Sequence, residues 1–175
     1  MGAVRTELLL EKISAGFKTI NFRLTLPEYS DSSWQMYAPL DKDNPIGFFD
    51  ITKSLQEFAK KFVAGSMKLQ SPHTTMRILV NEKEEGYLKD RVKHLQKKYP
   101  AKRDYEHNKN HYPPSCKNGH AHLMADIFPA VQEILIKNGS LNLGKYISIL
   151  TIDLYPLEEG KTRYVDVFVS GVPVE

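Results

Sequence analysis

Apolar and polar residues alternate through "KTINFRLTL" (18–26), with Ile20, Phe22, Leu24 and Leu26 on one side, the period of a strand with one buried face. "VRTELLL" (4–10) predicts a partner strand, closed into a hairpin across Ser14, Ala15 and Gly16. Residues 27–47 hold three prolines among Asp, Ser and Asn and predict a long loop. Thr52 stands where a helix N-cap is expected, and Leu55, Phe58, Ala59, Phe62 and Val63 continue as a helical stripe that Gly65 would stop. "MKLQSPHTTMRILVNE" (67–82) reads as extended chain broken near Pro72. A second helix follows with Leu88, Val92, Leu95 and Tyr99 on one side. Its early Glu84 and Glu85 and late Lys97 and Lys98 suit the helix dipole, and Pro100 ends it.

Residues 101–119 are polar and include Pro113 and Pro114, so they predict a loop, and loops of this length inside compact domains usually carry a function. A short helical piece is expected near 122–128. Asn138-Gly139 between two apolar runs is a hairpin signal, because a primed turn needs positive φ at both central residues. Two last strands, 146–154 and 163–171, flank a loop with Glu158, Glu159 and Gly160. The sum is an α+β pattern of roughly seven or eight strands and two or three helices around a mostly antiparallel sheet core.

At 175 residues the chain suits one domain, in which residues 1–46 supply N-terminal strands and an extended loop to the same fold as 47–175. A hydrophobic share of 41% is enough for a buried core and argues against disorder. No apolar run reaches membrane-span length, and Met1 is followed by Gly, Ala, Val and Arg without a secretory core, so a cytoplasmic protein with no membrane partner is expected. The lone Cys116 excludes an internal disulfide. Residues 83–103 hold eight Lys or Arg against three Asp or Glu, a local excess that could attract phosphates. Aromatic stacking residues are not interleaved with these charges as a nucleic-acid face would need, so a solvated helix face is the better reading and nucleic acid ranks last among partners.

Histidines carry the candidate chemistry. His73 follows Pro72 at a strand break, His107 sits in the long loop, and His120 and His122 lie in "NGHAHLMAD", where that loop re-enters structure. Loops and element ends are where functional side chains concentrate. In extended chain both rings of the H-A-H pair could bind one metal, whereas in a helix they lie about 200° apart. "HLMADIF" reads as helical, so one of the two should point into a site, with His122 favoured. Three imidazoles with one open position is the arrangement of catalytic zinc, although the spacing matches no paired C-x-x-C signature. Cys116 with His120 would make a C-x3-H pair, but Pro113, Pro114, Lys117 and Asn118 read as an exposed turn. His94, among Arg91, Lys93, Lys97 and Lys98, reads as surface, and His111 as loop. Asn81, Glu82, Asn108 and Asp153 are candidate acid, base or supporting groups, since a metal-bound imidazole commonly gives its other N–H to an oxygen acceptor. For Glu82 the competing reading is a charge at a helix N-terminus.

"FFDIT", "PHTT" followed by "VNE", "YEHN", "HAHL", "NGSLNLG" and "TRYVDVFVSG" occur in order from about residue 47 to the end. This ordered set resembles the YjbQ family, also called secondary thiamine-phosphate synthase-like proteins. The resemblance implies an α+β YjbQ-like fold, usually a homotrimer, with histidines at a metal or active site between subunits. Carried over by position, it places His73, His107 and His122 at the metal, puts Glu82 and Arg163 on further motif positions, and matches His120 to a looser one. The chain departs from the family pattern at Met124 and Asp126, where Lys and Ser are common, and at Tyr146 and Ile147, where a Trp-Gln pair is common. "YPLEEGK" replaces an Asp-Gly-Pro turn, and residues 1–46 and 109–119 look longer than usual.

The resulting expectation is a metal-dependent enzyme. His73, His107 and His122 bind a zinc-like ion that polarises a water or substrate oxygen, Glu82 moves a proton, Asn108 next to His107 assists, and Arg163 holds an anionic or phosphorylated substrate. The family's suggested reaction, joining a pyrimidine diphosphate to a thiazole phosphate with loss of pyrophosphate, would suit Mg2+ better and is expected at most as a weak thiamine-phosphate synthase activity. The rival reading is a trimeric, non-enzymatic scaffold whose histidines staple the long loop.

Overall fold

In the computed structural model, residues 4–110, 117–156 and 162–175 are described. The expectations for His111, Pro113, Pro114, Cys116, Glu158, Glu159 and Gly160 lie outside them. Strands β1 (Arg5–Ser14), β2 (Phe17–Thr25), β10 (Tyr164–Pro173), β5 (Phe62–Gln70), β7 (Val131–Lys137) and β8 (Ser140–Leu141) form one antiparallel sheet in that order. Strands β3 (Gln35–Tyr37), β4 (Ile46–Asp50), β9 (Ile147–Asp153) and β6 (Met76–Glu82) form a second. The fold is therefore α+β, with four helices among the described residues: α1 (Thr52–Ala59), α2 (Glu85–Lys98), α3 (Glu106–Asn110) and α4 (Gly119–Ala125). No helix among the described residues is long and apolar enough to cross a membrane.

Two cores stack the layers. Ile20, Phe22, Leu24, Val165 and Val167 of the larger sheet meet Phe49, Ile78 and Ile149 of the smaller, and α1 adds Leu55 and Ala59 to the same cluster. The opposite face of the smaller sheet, with Phe48, Leu79, Leu150 and Ile152, is covered by Leu88, Val92 and Leu95 of α2 and Ala121, Met124 and Ala125 of α4. β9 is thus buried on both faces, with Ile149 in one core and Leu150 and Ile152 in the other, so its apolar residues do not simply alternate.

The hairpins formed as their turn residues dictate, with positive φ at Ala15 and Gly16 and at Asn138 and Gly139. Four local expectations are corrected. The 27–47 segment is not only loop, since β3 and the start of β4 arise there by pairing with each other and with β9. Thr52 is the first helical residue and not the cap; its N–H is held by Asp50 Oδ1 at 2.9 Å, and its hydroxyl accepts from the Ile149 N–H at 2.8 Å. Phe62 and Val63 belong to β5, not to α1. Gly65 is no helix stop: it pairs with Gly171 of β10, and a Cβ on it would lie 2.3 Å from the Ser170 carbonyl oxygen, so the two backbones approach too closely for a side chain.

Candidate functional site

The end of β9 that carries Asp153 gathers most of the candidate residues into two neighbouring groups. In the first, α3 and α4 pack through polar side chains. His107 Nε2 lies 3.0 Å from Asn118 Oδ1, and Asn108 Oδ1 accepts the Gly119 N–H at 2.9 Å. Gly119 is needed there, because a Cβ would come within 2.9 Å of Tyr105 Cβ and 3.0 Å of Asn108 Oδ1. These staples bring the imidazoles of His107 and His122 together, edge to face, with centroids 4.5 Å apart. An amide oxygen only accepts, so Nε2 of His107 donates to it.

His120, two residues earlier on α4, turns inward. It is 1% exposed, sits between Tyr105 and Tyr155 at centroid distances of 6.4 and 5.9 Å, and has no hydrogen-bond partner on either ring nitrogen among the described residues. Burial, with the nearby His122 adding to it against the pull of Asp41, lowers its pKa to about 4, so the ring is neutral. Leaving a buried polar group unmet costs about 1–3 kcal/mol.

The second group surrounds an ion pair. Arg163 Nε contacts Asp153 Oδ2 at 2.5 Å and the Tyr29 hydroxyl at 2.8 Å, and Nη2 reaches the Tyr155 carbonyl at 3.2 Å. Tyr29 donates its hydroxyl to Asp153. Burial opposes the Arg163 charge, but Asp153 and Tyr29 outweigh it and hold the guanidinium pKa above its ordinary value; burial and Asp153 push the Tyr29 phenol up. His73 lies beside this group. Its Nε2 accepts the Tyr164 N–H at 3.1 Å, which leaves the proton on Nδ1, and its ring stands edge-on to Tyr164 at 4.6 Å. Burial and then the Arg163 charge lower its pKa. Tyr164 is also covered by the Arg23 guanidinium at 3.9 Å, itself paired to Asp166.

His107 and His122 therefore meet, whereas the His73 ring faces Tyr164 and the Arg163 group. Among the described residues no group of three or more His, Cys, Asp and Glu is arranged to hold a metal ion. Glu82 pairs with Ile147 while Met76 pairs with Asp153. It is thus about 20 Å from the Asp153 end at roughly 3.3 Å per residue. Arg163 is 5% exposed and engaged with Asp153, Tyr29 and Tyr155, and Asn108 is engaged with Gly119. Sequence reasoning missed Asn118, Tyr29 and Tyr155. Asn immediately before a Gly-initiated helix was the available signal for Asn118, as a cap-type residue whose oxygen turns to His107 instead.

Comparison with known proteins accords with this architecture. A UPF0047 protein of Methanothermobacter thermautotrophicus is 28% identical over 137 residues, covering 77% of this chain and 90% of its own. Another UPF0047 protein, of Archaeoglobus fulgidus, is 29% identical over 108 residues, 62% of this chain and 81% of its own. The crystal structure of a YbjQ-like protein of unknown function from Sulfolobus solfataricus shares the fold with a TM-score of 0.69 at 20% identity, covering 89% of this chain and 99% of that one. A YjbQ/UPF0047 protein from Clostridium acetobutylicum superposes with a TM-score of 0.63 at 25% identity, over 86% and 98% of the two chains. The family model described as UPF0047 protein YjbQ-like matches residues 37–171, and the chain belongs to that family.

Proposed function

We propose that the protein is an enzyme acting on a small anionic or phosphorylated substrate at the His107–His122 pair, with a zinc-like divalent cation and in a homotrimer. The observation that carries this reading is the meeting of two imidazoles 4.5 Å apart, one of them with its tautomer set by an amide oxygen. An outer acceptor that fixes a ring and raises its basicity is the usual companion of a metal-binding or proton-transferring histidine. Two imidazoles fit such an ion only in part, so the remaining donors come from water, substrate or a second copy of the chain. A bound zinc-like ion would supply a Lewis acid for a carbonyl or phosphoryl oxygen. His73, with its lone pair turned to Tyr164, acts here as an Nδ1–H donor and not as a ligand. Arg163 positions Tyr155 and Tyr29 in place of clamping substrate. Glu82 can serve the pair only from another copy, given its place at the far end of β6.

Weak thiamine-phosphate synthase activity is the specific reaction to assay. Purified protein is analysed for metal, then given the pyrimidine diphosphate and thiazole phosphate with Zn2+, with Mg2+ and after chelation. Metal-dependent turnover that His122→Ala abolishes, with a melting temperature close to the parent, supports the enzyme. A second reading has its own observation: the His107–Asn118 and Asn108–Gly119 bonds staple α3 to α4, as a scaffold would require. If His122→Ala lowers the melting temperature by several degrees and no preparation binds metal or turns over, the staple is the role and the enzyme proposal fails.

A further inference from the structure

A second feature adjoins α3 without involving the histidine pair. Lys102, Arg103, Lys109, Lys117, Tyr105 and Tyr155 line a cleft of about 600 Å3, and neither His107 nor His122 is among its described lining residues. Lys109 is neutralised by Asp104 at 2.9 Å and Glu106 at 2.7 Å. Asp104 lines the cleft too but is paired with Lys109, and Lys102, Arg103 and Lys117 have no carboxylate partner among the described residues, so the cleft keeps three unpaired cations. Asn108 also lines it and turns its oxygen to Gly119, and its amide nitrogen adds two donors. Behind the two lining tyrosines lies the buried ring of His120, which is not itself part of the cleft wall.

We propose that this cleft binds the phosphate or diphosphate group of a small molecule, with Arg103, Lys102 and Lys117 holding the anion and Tyr105 and Tyr155 flanking the attached group. Cations converging on a concave space with amide donors are what phosphate recognition uses, and Arg presents a fork that matches two phosphate oxygens. A volume of about 600 Å3 suits a small molecule. A nucleic-acid strand would need an extended groove with aromatic platforms along it. The site stands independently of the histidine reading.

The test is calorimetric titration of the full-length protein with pyrophosphate at about 50 and 200 mM salt. The parent is expected to bind one pyrophosphate per chain. The double variant Lys102→Ala/Arg103→Ala should weaken binding roughly tenfold or more, and Lys117→Ala severalfold. Lys97→Ala/Lys98→Ala, on α2, should stay within about twofold of the parent, which separates this site from the basic helix face. The proposal is overturned if millimolar pyrophosphate does not bind, if the double variant binds as the parent does, or if the α2 variant loses as much. It is equally overturned if a single-stranded oligonucleotide binds more tightly than pyrophosphate with a steeper salt dependence.

Discussion

Arg163 and Asp153 form an ion pair that joins the two sheets, with side chains 5% and 0% exposed and 2.5 Å between Nε and Oδ2. Asp153 ends β9 of the smaller sheet, and Arg163 leads into β10 of the larger. Removing one member strands the other charge away from water, which costs about 3–5 kcal/mol. Arg163→Met should therefore lower stability by that order in urea unfolding. An unfolding midpoint equal to the parent's would show that water reaches Asp153 and that the pair is not a structural tie.

Asn118 sets the tautomer of His107, so Asn118→Ala should loosen any metal bound at the pair by about 10–100-fold. Asn118→Asp keeps an acceptor and should retain most of the affinity. Zn2+ titration with a competing chromophoric chelator measures both. Equal affinities in Ala and Asp variants would separate Asn118 from the metal.

Gly119→Ala should destabilise by about 1–3 kcal/mol through overpacking against Tyr105 and Asn108. The same substitution disturbs the Asn108–Gly119 bond and, with it, the approach of His107 to His122. Thermal unfolding gives the stability, and the histidine ring proton shifts report the pair. Unchanged shifts alongside the expected stability loss would mean that the staple and the pair are independent.

Asp50 supplies a pH dependence with a defined sign. Burial raises its pKa, but the Thr52 hydroxyl and N–H and then Lys83 outweigh this and hold it below the ordinary value of 3.8. The folded state thus binds its proton less readily than the unfolded state. The stabilisation is fully present above the unfolded value and is lost as pH falls through the lower folded one. Asp50→Asn should flatten the acid limb of the stability curve below about pH 4 and leave the slope between pH 6 and 8 unchanged. Urea midpoints across pH 2–8 check this, and parallel acid limbs for parent and variant would remove Asp50 as the source.

Much of the architecture was legible locally. Alternation at Ile20, Phe22 and Leu24 marked β2, the stripe Leu88, Val92 and Leu95 marked the buried side of α2, and Asn138-Gly139 marked a turn, because each is governed by residues within a few positions. Phe62 and Val63 misled for the same reason: a helical stripe and a strand share those positions, and the Gly65–Gly171 backbone approach decided between them from over a hundred residues away. β3 and β4 were hidden among prolines because their pairing energy comes from each other and from β9.

The chain's own order of residues determined its family, its hairpins and its main amphipathic faces, since these follow from local periodicity and motif order. Tertiary structure alone decided which imidazoles meet. His107 and His122 lie on separate short helices brought together by Asn108, Asn118 and Gly119, while the Nε2 of His73 is taken by the N–H of Tyr164, 91 residues away. A ring's chemistry depends on which nitrogen keeps its lone pair, and that is set by partners distant in sequence.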